Sequence, residues 1–202
     1  MSVTSTDHPS TPPVLSNAAI DLAAKHLRDV VQVCFQHQET ARAVVVFDQA
    51  SELAQALTAA YRLALPQAEF IDFDLHSAVE VRHHLEKLQA GDLVVLIQST
   101  NFRMDAYRIR VELFKQGLKV IEHPHLARMP GQQALLYLDS LAYDADYYRG
   151  VGRGLKRLID LAPRAVVDSG GALLTFDGPL EDAKMNIGDY SEMKNWGGQF
   201  PI

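Results

Sequence analysis

Apolar and polar positions change rhythm several times along this chain. From Ser16 to about Gln38, the apolar residues Ala19, Leu22, Ala23, Leu27, Val30, Val31 and Cys34 recur three or four apart, the spacing of one helical face. Ser16, just ahead of them, supplies an N-cap oxygen. The rhythm then shortens. Ala43 to Phe47 reads AVVVF, a β-branched run that predicts a strand. Ser51 to Ala64 returns to helical spacing, and Glu69 to Phe73 predicts a second strand. Ser77 to Gln89 predicts another helix, with Ser77 and Glu80 at capping-box spacing. Gly91-Asp92 turns into a third strand, LVVLI, at Leu93 to Ile97. Met104 to Gln116 predicts a helix stopped by Gly117, and Leu118 to Ile121 a fourth strand.

These strands are short continuous apolar runs rather than alternating ones. Burial on both faces produces that pattern. Strand and helix alternate, so the fold class is α/β: an open parallel sheet with helices on both faces, joined by right-handed crossovers.

Past Ile121 the pattern loosens. Glu122-His-Pro-His125 begins a loop, and Gln132 to Leu161 is mostly helical, with a polar middle from Tyr143 to Tyr148. Its second half is basic (Arg149, Arg153, Lys156, Arg157) and reads as a solvated face. Pro163 ends it. Ala165 to Asp168 and Ala172 to Phe176 flank Ser169-Gly170-Gly171, a hairpin signal. The expected organisation is a disordered lead over 1–15, an α/β N-terminal domain over 16–162, and a short antiparallel β segment opening an incomplete second domain over 163–202. That last piece, at about forty residues, is too short for a core of its own.

Charge and cysteine usage narrow the partners. Across 202 residues the net charge is -6, which argues against a nucleic-acid surface and against a polybasic membrane anchor. Cys34 is the single cysteine, so no internal disulfide forms, and its place on an apolar helical face marks it as core. The first residues lack the pattern of a secretory signal. No apolar run reaches the ~20 residues of a membrane span. A cytoplasmic setting is expected.

In an open parallel sheet, ligands bind beyond the carboxyl ends of the strands. The sequence puts Asp48, Asp72, Asp74, Ser99-Thr100-Asn101 and Glu122 to His125 there. Asp48, Ser99 and Thr100 also suit the caps of the helices that follow. His123 and His125, beside Glu122 and Arg128, have the chemistry to grip an anion or exchange protons. The candidate substrate or interface contacts are therefore His123, His125, Arg128, Ser99 and Thr100. No residue is nominated as catalytic or as a metal ligand, because no third ligand stands near the two histidines. His83 and His84, adjacent in a helix, are expected at the surface. The first strand is followed by Asp48-Gln-Ala-Ser51, without the glycines of a dinucleotide site, and no Walker A, His-Glu-x-x-His or Gly-x-Ser-x-Gly occurs.

The end of the chain carries a resemblance. Leu173 to Ile202 reads LLTFDGPLEDAKMNIGDYSEMKNWGGQFPI. Thr175-Phe-Asp-Gly178 with the later Gly-Gly-Gln-Phe-Pro201 resembles the start of the catalytic half of the thermophilic-type metallo-aminopeptidases, the aminopeptidase T family. Leu118 to Met129 (LKVIEHPHLARM) resembles the N-terminal domain of their less typical members. The resemblance implies a non-metal-binding domain, inactive alone, with no cofactor of its own. A catalytic divalent metal (zinc, cobalt or iron) would belong only to a longer form, whose ligands begin in a Gly-Glu-Val that would follow. No ligand of the family transfers to a residue here. The implied partner is a missing C-terminal domain or a second copy. Trp196-Gly-Gly-Gln-Phe200 departs from the commoner Asn-Leu-Pro junction. Iron-dependent 2,5-dihydroxypyridine dioxygenases share the scaffold and supply one alternative; a standalone module binding a small molecule or protein supplies another. On the truncated reading, Trp196, Phe200 and Ile202 are expected to be exposed.

Overall fold

A computed structural model describes residues 15–102, 109–191, 193 and 195–201. Its main feature is a parallel sheet of β1 (Ala43–Phe47), β2 (Glu69–Asp72), β3 (Leu93–Ile97), β4 (Lys119–His123) and β7 (Gly197–Gln199), in the order β2-β1-β3-β4-β7. A second sheet holds β5 (Arg164–Asp168) and β6 (Leu173–Asp177), paired antiparallel. The α/β class and the antiparallel addition agree with the sequence pattern.

The continuous apolar strands fill two cores. Successive side chains on a strand point to opposite faces, and the two faces divide accordingly. Val45, Phe47, Leu93, Val95, Ile97 and Ile121 join one core; Val44, Val46, Val94, Leu96 and Val120 join the other. Three helices cover the first: α1 (Asn17–Asp29), α2 (Glu52–Ala64) and α5 (Gln132–Asp139), through Leu27, Leu57, Tyr61 and Leu138. Two cover the second: α3 (Ala78–Leu85) and α4 (Ile109–Lys115), through Val81, Leu85 and Leu113. Of the helix expected over Met104 to Gln116, the structure describes α4 from Ile109; positions 104–108 lie outside the described residues.

Local signals work as the sequence implies. Ser16, Ser51 and Ser77 each cap a helix through the side-chain oxygen, and Ser77 with Glu80 closes a full capping box. Gly117 follows α4 with φ +76°. The first helix differs in one respect. It is α-helical only to Asp29, and Val30–Cys34 continues as a π-turn. The wider turn still brings Val30, Val31, Cys34 and Phe35 into the core and leaves Val33 outside.

The sequence pattern does not predict β7. Gly197 pairs with Val120 and Gln199 with Glu122, so the chain returns to the first sheet after the hairpin. Tyr190 and Phe200 pack on Phe35 in the first core, with ring centroids 4.9 and 5.5 Å from it. Phe200 is therefore buried, not exposed as expected. Trp196 is half-buried, with the Lys119 ammonium 4.9 Å above its ring. Ile202 lies outside the described residues.

Candidate functional site

The strand order reverses direction between β1 and β3, the usual ligand crevice of such sheets. Here that crevice is stitched by the chain itself. Asp48 follows β1, and its carboxylate accepts from the Ser99 N–H at 2.7 Å and the Ala50 N–H at 3.1 Å. Ser51 and Ser99 hydroxyls share a hydrogen bond of 2.7 Å, and the Ser99 carbonyl accepts from Ala127 N–H. Ser99 is thus buried and fully engaged, whereas Thr100 beside it is exposed. After β2, Asp72 accepts from Gln49 Nε2 at 2.6 Å and from the Asp74 N–H. Gln98 donates to Glu122, whose other oxygen takes Arg110 at 2.6 Å. The polar edge read from the sequence is real, and most of its groups hold the turns that follow the strands.

The two histidines part company. His125 is half-exposed in a left-handed conformation at φ 59°, and Arg128 is exposed after it. His123 is fully enclosed. This corrects the expectation of a paired His123/His125 contact: neither ring nitrogen of His123 is left for a ligand. Tyr61 on α2 lies 2.8 Å from Nε2, and Tyr137 on α5 lies 2.8 Å from Nδ1. The Tyr137 hydroxyl donates its one proton to the Phe200 carbonyl at 2.6 Å. Its oxygen therefore accepts from His123 Nδ1–H, and Nε2 accepts from Tyr61. Burial pushes the His123 pKa down to about 3, against a smaller opposing pull from the Phe200 backbone, so the ring stays neutral as this chain of bonds requires. Burial also pushes both tyrosine hydroxyls upward. The arrangement latches β7 to the core. The sequence carries a faint sign of it: Tyr61 and Tyr137 are the only aromatic residues on the buried faces of α2 and α5, and each brings a hydroxyl into the core.

A different surface stands out for lack of cover. The helix α6 (Ala145–Asp160) buries none of its residues. Its basic side chains, read from sequence as solvated, partly hold the returning tail: Arg149 donates to Gly188 O, Lys156 to Ala183 O, and Arg153 pairs with Asp189 at 3.1 Å. Along the same helix, Val151, Leu155, Leu158 and Ile159 are exposed, Leu158 at 68%. The hairpin β5–β6 repeats the pattern. Its register puts Ala165 opposite Phe176 and Val167 opposite Leu174 on one face, all apolar. Leu174 is 57% exposed and Phe176 49%. A two-stranded ribbon with a bare apolar face is marginal alone in water.

Among the described residues, no group of three or more His, Cys, Asp or Glu is placed to hold a metal ion, and no helix is long and apolar enough to cross a membrane. No family model, curated protein or solved structure matches this chain.

Proposed function

We infer that this chain serves as the non-catalytic α/β domain of a metallo-aminopeptidase resembling the aminopeptidase T family, and works by packing against the catalytic half. The observation that carries the reading is the bare apolar surface of α6 and the β5–β6 hairpin. Apolar patches of that kind mark surfaces built to be covered. The hairpin also offers strands to which further antiparallel β structure can add. The strand-end crevice supports the same reading, since Asp48, Ser51 and Ser99 spend their polar atoms on one another and on backbone. The divalent metal and the peptide-cleaving chemistry would belong to the catalytic half.

The test uses both forms. Residues 1–202 are assayed with leucine amide in the presence of zinc or cobalt, and the protein captured through this domain from its source cells is assayed alongside. Amine release confined to the captured material, abolished by chelation, is expected. Hydrolysis by the 202-residue chain alone, or captured material without chelator-sensitive amine release, overturns the assignment.

A further inference from the structure

An open cleft of about 460 Å³ lies where α1 meets the first turn of α6, far in the sequence from the strand-end edge. Its volume falls in the range of small-molecule sites. Three tyrosines furnish its aromatic lining. Tyr143 is fixed in place: its hydroxyl donates to the Ile187 carbonyl and accepts from Arg149 Nε. Tyr148 stacks on Tyr143 at 5.5 Å and 15°, and Tyr147 stands perpendicular to Tyr148 at 86°. Tyr147 is 61% exposed, so the fold makes little use of its ring.

Charges of both signs share the lining: Lys25, Asp29 and Asp144. Lys25 and Asp29 stand one helical turn apart, the spacing at which such residues commonly pair. No ion pair joins them, and neither side chain makes a hydrogen bond among the described residues. Asp144 spends one oxygen on the Tyr147 N–H as the cap of α6. The cleft therefore holds an available ammonium, an available carboxylate and exposed aromatic rings. A ligand matching all three carries a carboxylate, an ammonium and a flat apolar body.

We propose that this cleft binds a free aromatic α-amino acid, with its carboxylate on Lys25, its ammonium on Asp29 and its ring against Tyr147 and Tyr148. The ring faces also attract the ammonium end. The test is a titration of the isotope-labelled 202-residue chain, followed by nuclear magnetic resonance, with phenylalanine, phenethylamine, 3-phenylpropionate and alanine. Phenylalanine is expected to bind tightest, with shifts centred on α1 and the first turn of α6. Asp29→Asn should weaken phenylalanine about fivefold and erase its advantage over 3-phenylpropionate. Lys25→Ala should do the same relative to phenethylamine. Tyr147→Ala, at an exposed position, should weaken every aromatic probe. Equal affinity for all four probes, no saturation by ~10 mM, or shifts centred elsewhere overturns the proposal.

Discussion

Replacing Tyr137 by Phe isolates the bond chain that holds the tail to the sheet. The ring and its packing survive, so no cavity forms; only the hydroxyl is lost. Two partners are then orphaned at once: His123 Nδ1–H, 2.8 Å away, and the Phe200 carbonyl, 2.6 Å away. Each buried polar group left unpaired costs roughly 1–3 kcal/mol, so the substitution should cost about 2–6 kcal/mol. Tyr61→Phe is the control. It orphans only His123 Nε2 and should cost roughly 1–3 kcal/mol, leaving the tail in place. Urea denaturation gives the totals. Amide hydrogen exchange gives the location, because the Phe200 N–H bonds to the Glu122 carbonyl at 3.0 Å and reports β7 directly. Tyr137→Phe should speed exchange at Phe200 while amides in β1 and β3 stay protected relative to global unfolding. Equal costs for the two variants, or unchanged protection at Phe200, would refute the proton assignment and the latch together.

Other outcomes follow from the same geometry. Because the His123 pKa is lowered in the folded state to about 3, the unfolded chain binds the extra proton first, near pH 6.5. Stability should therefore be complete above that pH and fall as pH drops toward 3. The loss by pH 5 should be on the order of 2 kcal/mol, read by urea midpoints across pH and absent in a His123→Gln variant that still folds. Gly197→Ala would place a methyl 2.1 Å from the Val120 carbonyl oxygen at φ +154°, so β7 should detach and limited proteolysis should cut near residue 197. Asp48→Ala strands the Ser99 and Ala50 N–H groups and should cost about 2–5 kcal/mol in thermal or chemical denaturation. Val167→Lys with Leu174→Glu should leave stability of the isolated chain nearly unchanged, since both residues are exposed and the new opposite charges face each other across the ribbon, and should abolish capture of the proposed catalytic half.

Much of the architecture is legible in the residues. The runs at 43–47 and 93–97 are apolar at every position because each strand feeds two cores, and the serine caps at 16, 51 and 77 announce their helices. What escapes is what depends on distant partners. Gly197-Gly198 has the composition of a loop, and becomes a strand because glycine at 197 lets the backbone approach Val120 closely. His123 reads as a loop histidine beside Pro124; its burial is decided by two tyrosines that fold in from α2 and α5. The spacing puts Asp48 and Ser99 at the carboxyl edge, where the structure has them, but spacing alone does not tell a cap from a ligand contact. On α6 the apolar stripe alternates in sequence with basic residues of the opposite face, so the spacing shows an amphipathic helix but not that its apolar side lacks cover.

The Tyr137–Phe200 bond closes a span of 63 residues. Tying the ends of a loop of that length costs on the order of 4 kcal/mol in chain entropy, and three residues of glycine-rich strand return little until the hydroxyl latch and Phe200 are seated together. Folding should therefore run in two stages. The sheet from β2 to β4 can condense from contacts between neighbouring elements, while the flank of β4 stays open until β7 arrives. During synthesis β7 emerges after β4 and both α-helices that follow it, so the nascent domain presents an unpaired strand edge and an empty aromatic slot beside Phe35 until Tyr190 to Phe200 have been made.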